Sequence, residues 1–125
     1  MNNSSLLITA AVIAVVLVPP VIAQAAPRSE PLDESAALNL LERTLKQDHI
    51  YTHRISWDCI SYITEETTSA YFQFVLRENH NAKCGGDPET SPAIDRYRVY
   101  RSSGKIKQWE AAEDTWEPYK SAQTK

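Results

Sequence analysis

Two cysteines, Cys59 and Cys84, constrain this chain more than any other feature. If they pair, the segment between them becomes a closed covalent loop, and every fold that holds those two positions apart is removed. Closing a loop of about 25 residues restricts the unfolded ensemble by roughly 3 to 4 kcal/mol. Against the about 5 to 15 kcal/mol that holds a small domain folded, such a bond decides whether the domain persists. Pairing is the default where a chain is exported to an oxidising compartment. Free thiols and metal ligation are the alternatives.

The amino terminus supplies the reason to expect export. Residues 1–25, MNNSSLLITAAVIAVVLVPPVIAQA, contain no Asp, Glu, Lys or Arg, and residues 6–18 are almost unbroken apolar sequence. That profile predicts a signal peptide, with Ala23-Gln24-Ala25 offering small residues at the positions a signal peptidase reads. We expect cleavage after Ala25. The apolar run is about 13 residues, short of the roughly 20 that span hydrocarbon as a helix, and Pro19-Pro20 stops it. The segment before it lacks Lys and Arg, so an uncleaved anchor is the competing reading. The expected organisation is a signal at 1–25, a polar leader at 26–31, one domain at 32–120 and a tail at 121–125. The net charge of −3 argues against a nucleic-acid partner. No later segment is apolar enough to predict stable membrane insertion once the signal is removed.

Downstream of the leader, LDESAALNLLERTLKQ places Leu38, Leu41 and Leu45 on one helical face, with Glu34, Asn39, Glu42 and Lys46 away from it. The spacing predicts an amphipathic helix over about 32–47. From Tyr51 the period changes to two, with Tyr51, Ile55, Trp57 and Cys59 on one side. We expect a half-buried strand there, a bulge near 59–61, and a polar turn at 65–69 (EETTS). Residues 70–78 predict a second strand, with Phe72, Phe74 and Leu76 sharing a face. Residues 94–101 (IDRYRVYR) predict a third and 106–110 a fourth, joined through Ser102-Ser103-Gly104-Lys105. The tail segment AAEDTWEPYK is expected to lay Trp116 and Tyr119 over the sheet edge. Helix first and strands after gives an α+β domain: one N-terminal amphipathic helix packed on a roughly four-stranded antiparallel sheet, with one disulfide. This order is similar to that of cystatin-like rolls, an analogy of element order alone.

Between the second and third strands lies NHNAKCGGDPETSP, residues 79–92. A connection of that length in a compact domain is usually functional or mobile. A Cys59–Cys84 bond would staple its base, Gly85-Gly86 permits unusual backbone angles, and Pro88 and Pro92 restrict the backbone beyond the glycines. A preorganised loop loses less entropy on binding. It is therefore a candidate recognition element, against the plainer alternative that it only routes the chain. Asp87 and Glu89 within it, and the neighbouring Arg96 and Arg98, are the candidate partner-binding residues. Arg96, Arg98, Arg101, Lys105 and Lys107 form a basic hairpin interleaved with Tyr97 and Tyr100, suited to carboxylates or phosphates on a partner. A solvated sheet face is the alternative. Trp57 is expected in the core, while Trp109 and Trp116 are left between core and exposed contact.

Other chemistries find little purchase. Asp87, Glu89 and Asp95 match no calcium-loop spacing. His49, His53, His80 and Cys84 can be drawn as a zinc set, but the first pair straddles a helix end and a disulfide cysteine offers no thiolate. No nucleophile-elbow, zincin or phosphate-loop motif occurs, and no carboxylate pair stands out. No metal or cofactor is expected. The sequence thus predicts a small exported binding module, acting on a protein partner in an envelope or outside the cell, with inhibition of a hydrolase or toxin there as the working case. It shares a general plan with bacterial periplasmic lysozyme inhibitors and carries none of their motif residues. A small exported enzyme and a structural envelope protein are the alternative classes.

Overall fold

The leucine spacing forms the helix it predicts. α1 runs Glu34–Gln47, slightly shorter than expected because Asp33 sits outside it as the cap. Its carboxylate accepts a hydrogen bond from the Ala36 amide at 2.7 Å, satisfying one of the N–H groups that a helix start leaves open. Ala37, Leu41 and Leu45 are buried, and Leu38 and Leu40 pack at the margin of the same cluster. This computed structural model describes residues 16–18 and 29–121. The cleavage position after Ala25, most of the expected signal, the first part of the leader and the last four residues of the tail lie outside the described residues.

Residues 51–56 are not a strand. The Arg54 and Ile55 amides both donate back to the Tyr51 carbonyl, at 2.9 and 3.1 Å. These local bonds occupy groups that a sheet ladder would need. The chain turns, passes through a short 3₁₀ segment Trp57–Cys59, and enters the sheet only at Ile60. The alternation read there arose from residues buried for separate reasons, Tyr51 in the core and Cys59 as one half of the disulfide. Trp57, expected in the core, is half-buried at its margin, edge-on to Tyr51 with ring centroids 5.6 Å apart.

β1 is Ile60–Thr67, and so absorbs the Glu65-Glu66 pair expected in a turn. The reversal shrinks to residues 68–70, where the Thr68 hydroxyl accepts from the Ala70 and Tyr71 amides at 3.1 and 2.9 Å, a side-chain turn typical of threonine. The bulge falls between Thr64 and Glu66. β2 (Tyr71–Glu78), β3 (Ala93–Tyr100) and β4 (Ile106–Glu110) stand within one residue of expectation. A fifth strand, β5 (Thr115–Pro118), corrects the tail: it pairs with β4, setting Trp116 opposite Trp109.

All pairings are antiparallel, and the spatial order β1-β2-β3-β4-β5 follows the chain. Register assigns the faces, because residues directly opposite share one. Tyr62 opposite Leu76, Phe74 opposite Tyr97 and Phe72 opposite Val99 face α1. Phe72, Phe74, Leu76, Tyr97 and Val99 are buried there with the helix residues. Each such side chain contributes about 1.5 to 3 kcal/mol when fully buried. The other face presents Ile63 and Val75 with Arg96, Gln73 with Arg98 and Lys107, Tyr71 with Tyr100, and Trp109 with Trp116. α1 packs on β2 and β3. The domain is α+β with one disulfide, Cys59–Cys84, whose Cα atoms are 5.6 Å apart. Among the described residues no helix is long and apolar enough to cross a membrane.

Candidate functional site

The disulfide fixes the 79–92 connection at Cys84, and hydrogen bonds brace it on either side. The Asn79 amide donates to the Cys59 carbonyl at 2.8 Å. The Asn81 carboxamide oxygen accepts from the Lys83 and Cys84 amides, both at 2.9 Å. Asp87 accepts from the Glu89 amide at 3.0 Å, and its carbonyl takes the Thr90 amide and hydroxyl at 2.9 Å each. At the far end the Ser91 hydroxyl donates to the Glu78 carbonyl, and Arg77 donates to the Ser91 carbonyl. Residues 85–93 are exposed. The connection is therefore an ordered loop standing in solvent.

His80 lies under this loop. Its Nδ1 is 3.0 Å from the Asp87 carbonyl oxygen and 2.9 Å from Thr90 Oγ1, and its Nε2 is 3.0 Å from Glu78 Oε2. Gly86, at φ 79, rests against the ring so closely that a Cβ there would stand 2.5 Å from His80 Cγ. No periodicity in the sequence marks His80. The adjacent glycines were its only signal, since one use of glycine is close approach of backbone to another group.

Arg96 and Arg98 lie on the open sheet face. Arg96 Nε is 3.0 Å from Glu65 Oε2. Burial pushes the Glu65 carboxyl up, but hydrogen bonds from Gln73 and Arg96 outweigh it and hold the group below its ordinary value. The Arg98 guanidinium is sandwiched between Tyr71 and Trp116, 4.3 and 4.1 Å from the ring centroids. Its Nε donates to Gln73 at 2.9 Å, and Glu66 lies 3.6 Å from its Nη2. Trp109 packs against Trp116, ring centroids 5.3 Å apart and planes tilted by 58°. Gln73, Arg96, Arg98, Trp109 and Trp116 line a shallow depression of about 330 Å³. Tyr97, read from the sequence as part of the basic hairpin's recognition face, is buried on the other side; Tyr71 and Trp116 interleave with the arginines instead.

The four candidate contact residues thus fall into two groups. Asp87 and Glu89 belong to the loop; Arg96 and Arg98 belong to the sheet face and are held there by Glu65, Gln73 and Glu66. Asp87 is the acceptor that shapes its turn, while Glu89 enters the loop's hydrogen bonding only through its amide.

The drawn metal sets do not assemble: among the described residues no group of three or more His, Cys, Asp or Glu could hold a metal ion. Asp95 faces the core, where its carboxylate accepts from the Tyr51 hydroxyl, itself 2.7 Å from the Tyr97 hydroxyl. Burial, before any neighbouring charge, pushes both phenols above their ordinary range. They stay protonated and act as a structural hydrogen-bond network. Cys84 is in the disulfide.

No family model, no curated protein and no solved structure matches the chain.

Proposed function

We propose that this chain is a small exported protein-binding module whose principal contact surface is the stapled loop 84–92. The observation that carries the reading is that a loop exposed over residues 85–92 is cross-braced from within, by the disulfide, the Asp87 turn and the bonds to Glu78 and Arg77. Such a loop inserts into a partner's cleft without first losing conformational entropy, which is how rigid inhibitor loops gain affinity. Glu89 and Asp87 would face the partner, and Arg96 and Arg98 with their aromatic neighbours offer a second contact area on the sheet. An exported location accords with the disulfide and with the charge-free apolar amino terminus. The working case is an inhibitor of a hydrolase or toxin in the same compartment.

The test is capture from envelope extract on the disulfide-bonded protein, with mass spectrometry of what is retained, followed by affinity measurement on any partner. Glu89→Arg reverses a charge without removing a bond that shapes the loop, and is expected to weaken the complex at least tenfold, about 1.4 kcal/mol. An unchanged affinity would take the loop out of the interface. Asp87→Ala is the poorer probe, because it also releases the turn.

A further inference from the structure

Every group that meets the ring nitrogens of His80 is an oxygen with a lone pair to offer. Glu78 Oε2 faces Nε2 at 3.0 Å. The Asp87 carbonyl and Thr90 Oγ1 face Nδ1, and the Thr90 hydroxyl lies within hydrogen-bonding distance of both that carbonyl and Nδ1. A neutral imidazole has one N–H and one bare nitrogen. With Nδ1 protonated, the bare Nε2 faces the Glu78 carboxylate; with Nε2 protonated, the bare Nδ1 faces the Asp87 carbonyl and can take a proton only from the Thr90 hydroxyl, at the expense of that hydroxyl's bond to the carbonyl. Only the imidazolium donates on both sides.

We propose that His80 is a proton-operated clamp: as an imidazolium it ties the end of β2 to the Asp87–Thr90 turn and holds the 79–92 loop closed, and loss of the proton loosens that loop. The ring is placed to transmit the change. Gly86 rests on it within the distance at which even a methyl group would collide, so a shift of the ring toward the loop is felt by the backbone at Gly86. The titratable groups facing the ring are Glu78 from β2 and Asp87 from the loop. The nearby cations are engaged elsewhere, Lys83 with Asp58 at 2.9 Å and Arg77 with the Ser91 carbonyl. The hydrogen bond to Glu78, then that to the Asp87 carbonyl, hold the imidazole above its ordinary value. A raised value means that the closed loop binds the proton more tightly than the open one. The added stability is fully present below about pH 6.5, the value of a free imidazole, and is lost as pH rises through the higher value of the closed loop.

The clamp rests on loop geometry alone, so the protein-binding reading can fail while the clamp stands. The experiment is a paired NMR titration of the disulfide-bonded protein. The His80 Cε1 proton reports the midpoint, and amide exchange of Gly85 to Thr90, corrected for the intrinsic pH dependence, reports loop opening. Linkage fixes the relation between them: protection of the loop should fall about tenfold for each pH unit by which the His80 midpoint exceeds about 6.5. Glu78→Gln should lower both the midpoint and the fall in protection together, and His80→Gln should abolish the fall. A midpoint at or below the free value, or a raised midpoint with loop protection unchanged across it, would overturn the clamp. So would the same pH-dependent fall in His80→Gln.

Discussion

Gly86→Ala is the sharpest perturbation of the loop, because a single methyl group meets two separate costs. The residue sits at φ 79, where an L side chain costs roughly 1 to 2 kcal/mol. Its Cβ would also stand 2.5, 2.6 and 2.7 Å from three atoms of the His80 ring, against an ordinary carbon contact of about 3.5 to 4.0 Å. The ring must retreat by about 1 Å. Its nitrogens are held at 2.9 to 3.0 Å from their oxygens, and that retreat lengthens and bends those hydrogen bonds. Weakening the bonds on the two nitrogens costs up to roughly 1 kcal/mol each. The sum is about 2 to 4 kcal/mol, capped by the free energy at which the loop simply opens. Gly85→Ala is the matched control: its φ is 75, but nothing lies within 4 Å of the added atom, so only the backbone cost of roughly 1 to 2 kcal/mol applies. Amide exchange across 85–90 measures the loop, and urea denaturation separates it from global unfolding. Equal losses of loop protection in the two variants would refute the reasoning, because they would mean that the His80 ring yields freely.

Three further perturbations probe other parts of the fold. Replacing both Cys59 and Cys84 by Ser should lower the unfolding free energy by roughly 3 kcal/mol, as expected for a closed loop of about 25 residues; a loss below about 1 kcal/mol in urea titration would show that the staple constrains little. Tyr51→Phe removes the hydroxyl shared by Asp95 and Tyr97 and should cost about 1 to 3 kcal/mol, the penalty of stranding buried polar partners; a neutral substitution would remove that network from the account of stability. The Glu65 carboxyl is held low, so its contribution is present above about pH 4.3 and lost as pH falls through its lower folded value; Glu65→Gln should therefore lose less stability than the parent between pH 6 and pH 3, and equal acid sensitivity would contradict the Gln73 and Arg96 assignment.

The elements legible in the sequence were those whose burial pattern and hydrogen bonding agree. α1 declared itself through Leu41 and Leu45, buried, with Leu38 at their margin, and β2 through buried Phe72, Phe74 and Leu76, because one regular element turns each set toward the core. Tyr51 and Cys59 broke that agreement: both are buried, yet the backbone between them bonds locally, so alternation of side chains mimicked a strand. β5 was missed because a four-residue strand has too few positions to show a period, and its stability comes from Trp116 meeting Trp109 across the ladder. The disulfide needed only a count of cysteines and an inference about compartment. The sandwich around Arg98 on β3 draws on Tyr71 and Gln73 from β2 and Trp116 from β5, and the contacts of His80 depend on how a loop folds back on itself. Neither leaves a local spacing to read.

An open sheet has two margins at which a stranger's backbone could be added, and both are blunted here. β5 is four residues long and ends in Pro118, which lacks the amide that an incoming strand would use. β1 is longer and exposes Ile63, but the break in pairing between Thr64 and Glu66 interrupts its regular ladder, and the paired carboxylates of Glu65 and Glu66 sit at that point. Fibre-like growth through edge-to-edge addition is discouraged at either side. The same bluntness bears on how the molecule can be recognised: a partner that seeks main-chain pairing finds poor templates, whereas one that reads side chains finds the braced loop and the aromatic-arginine face already in position.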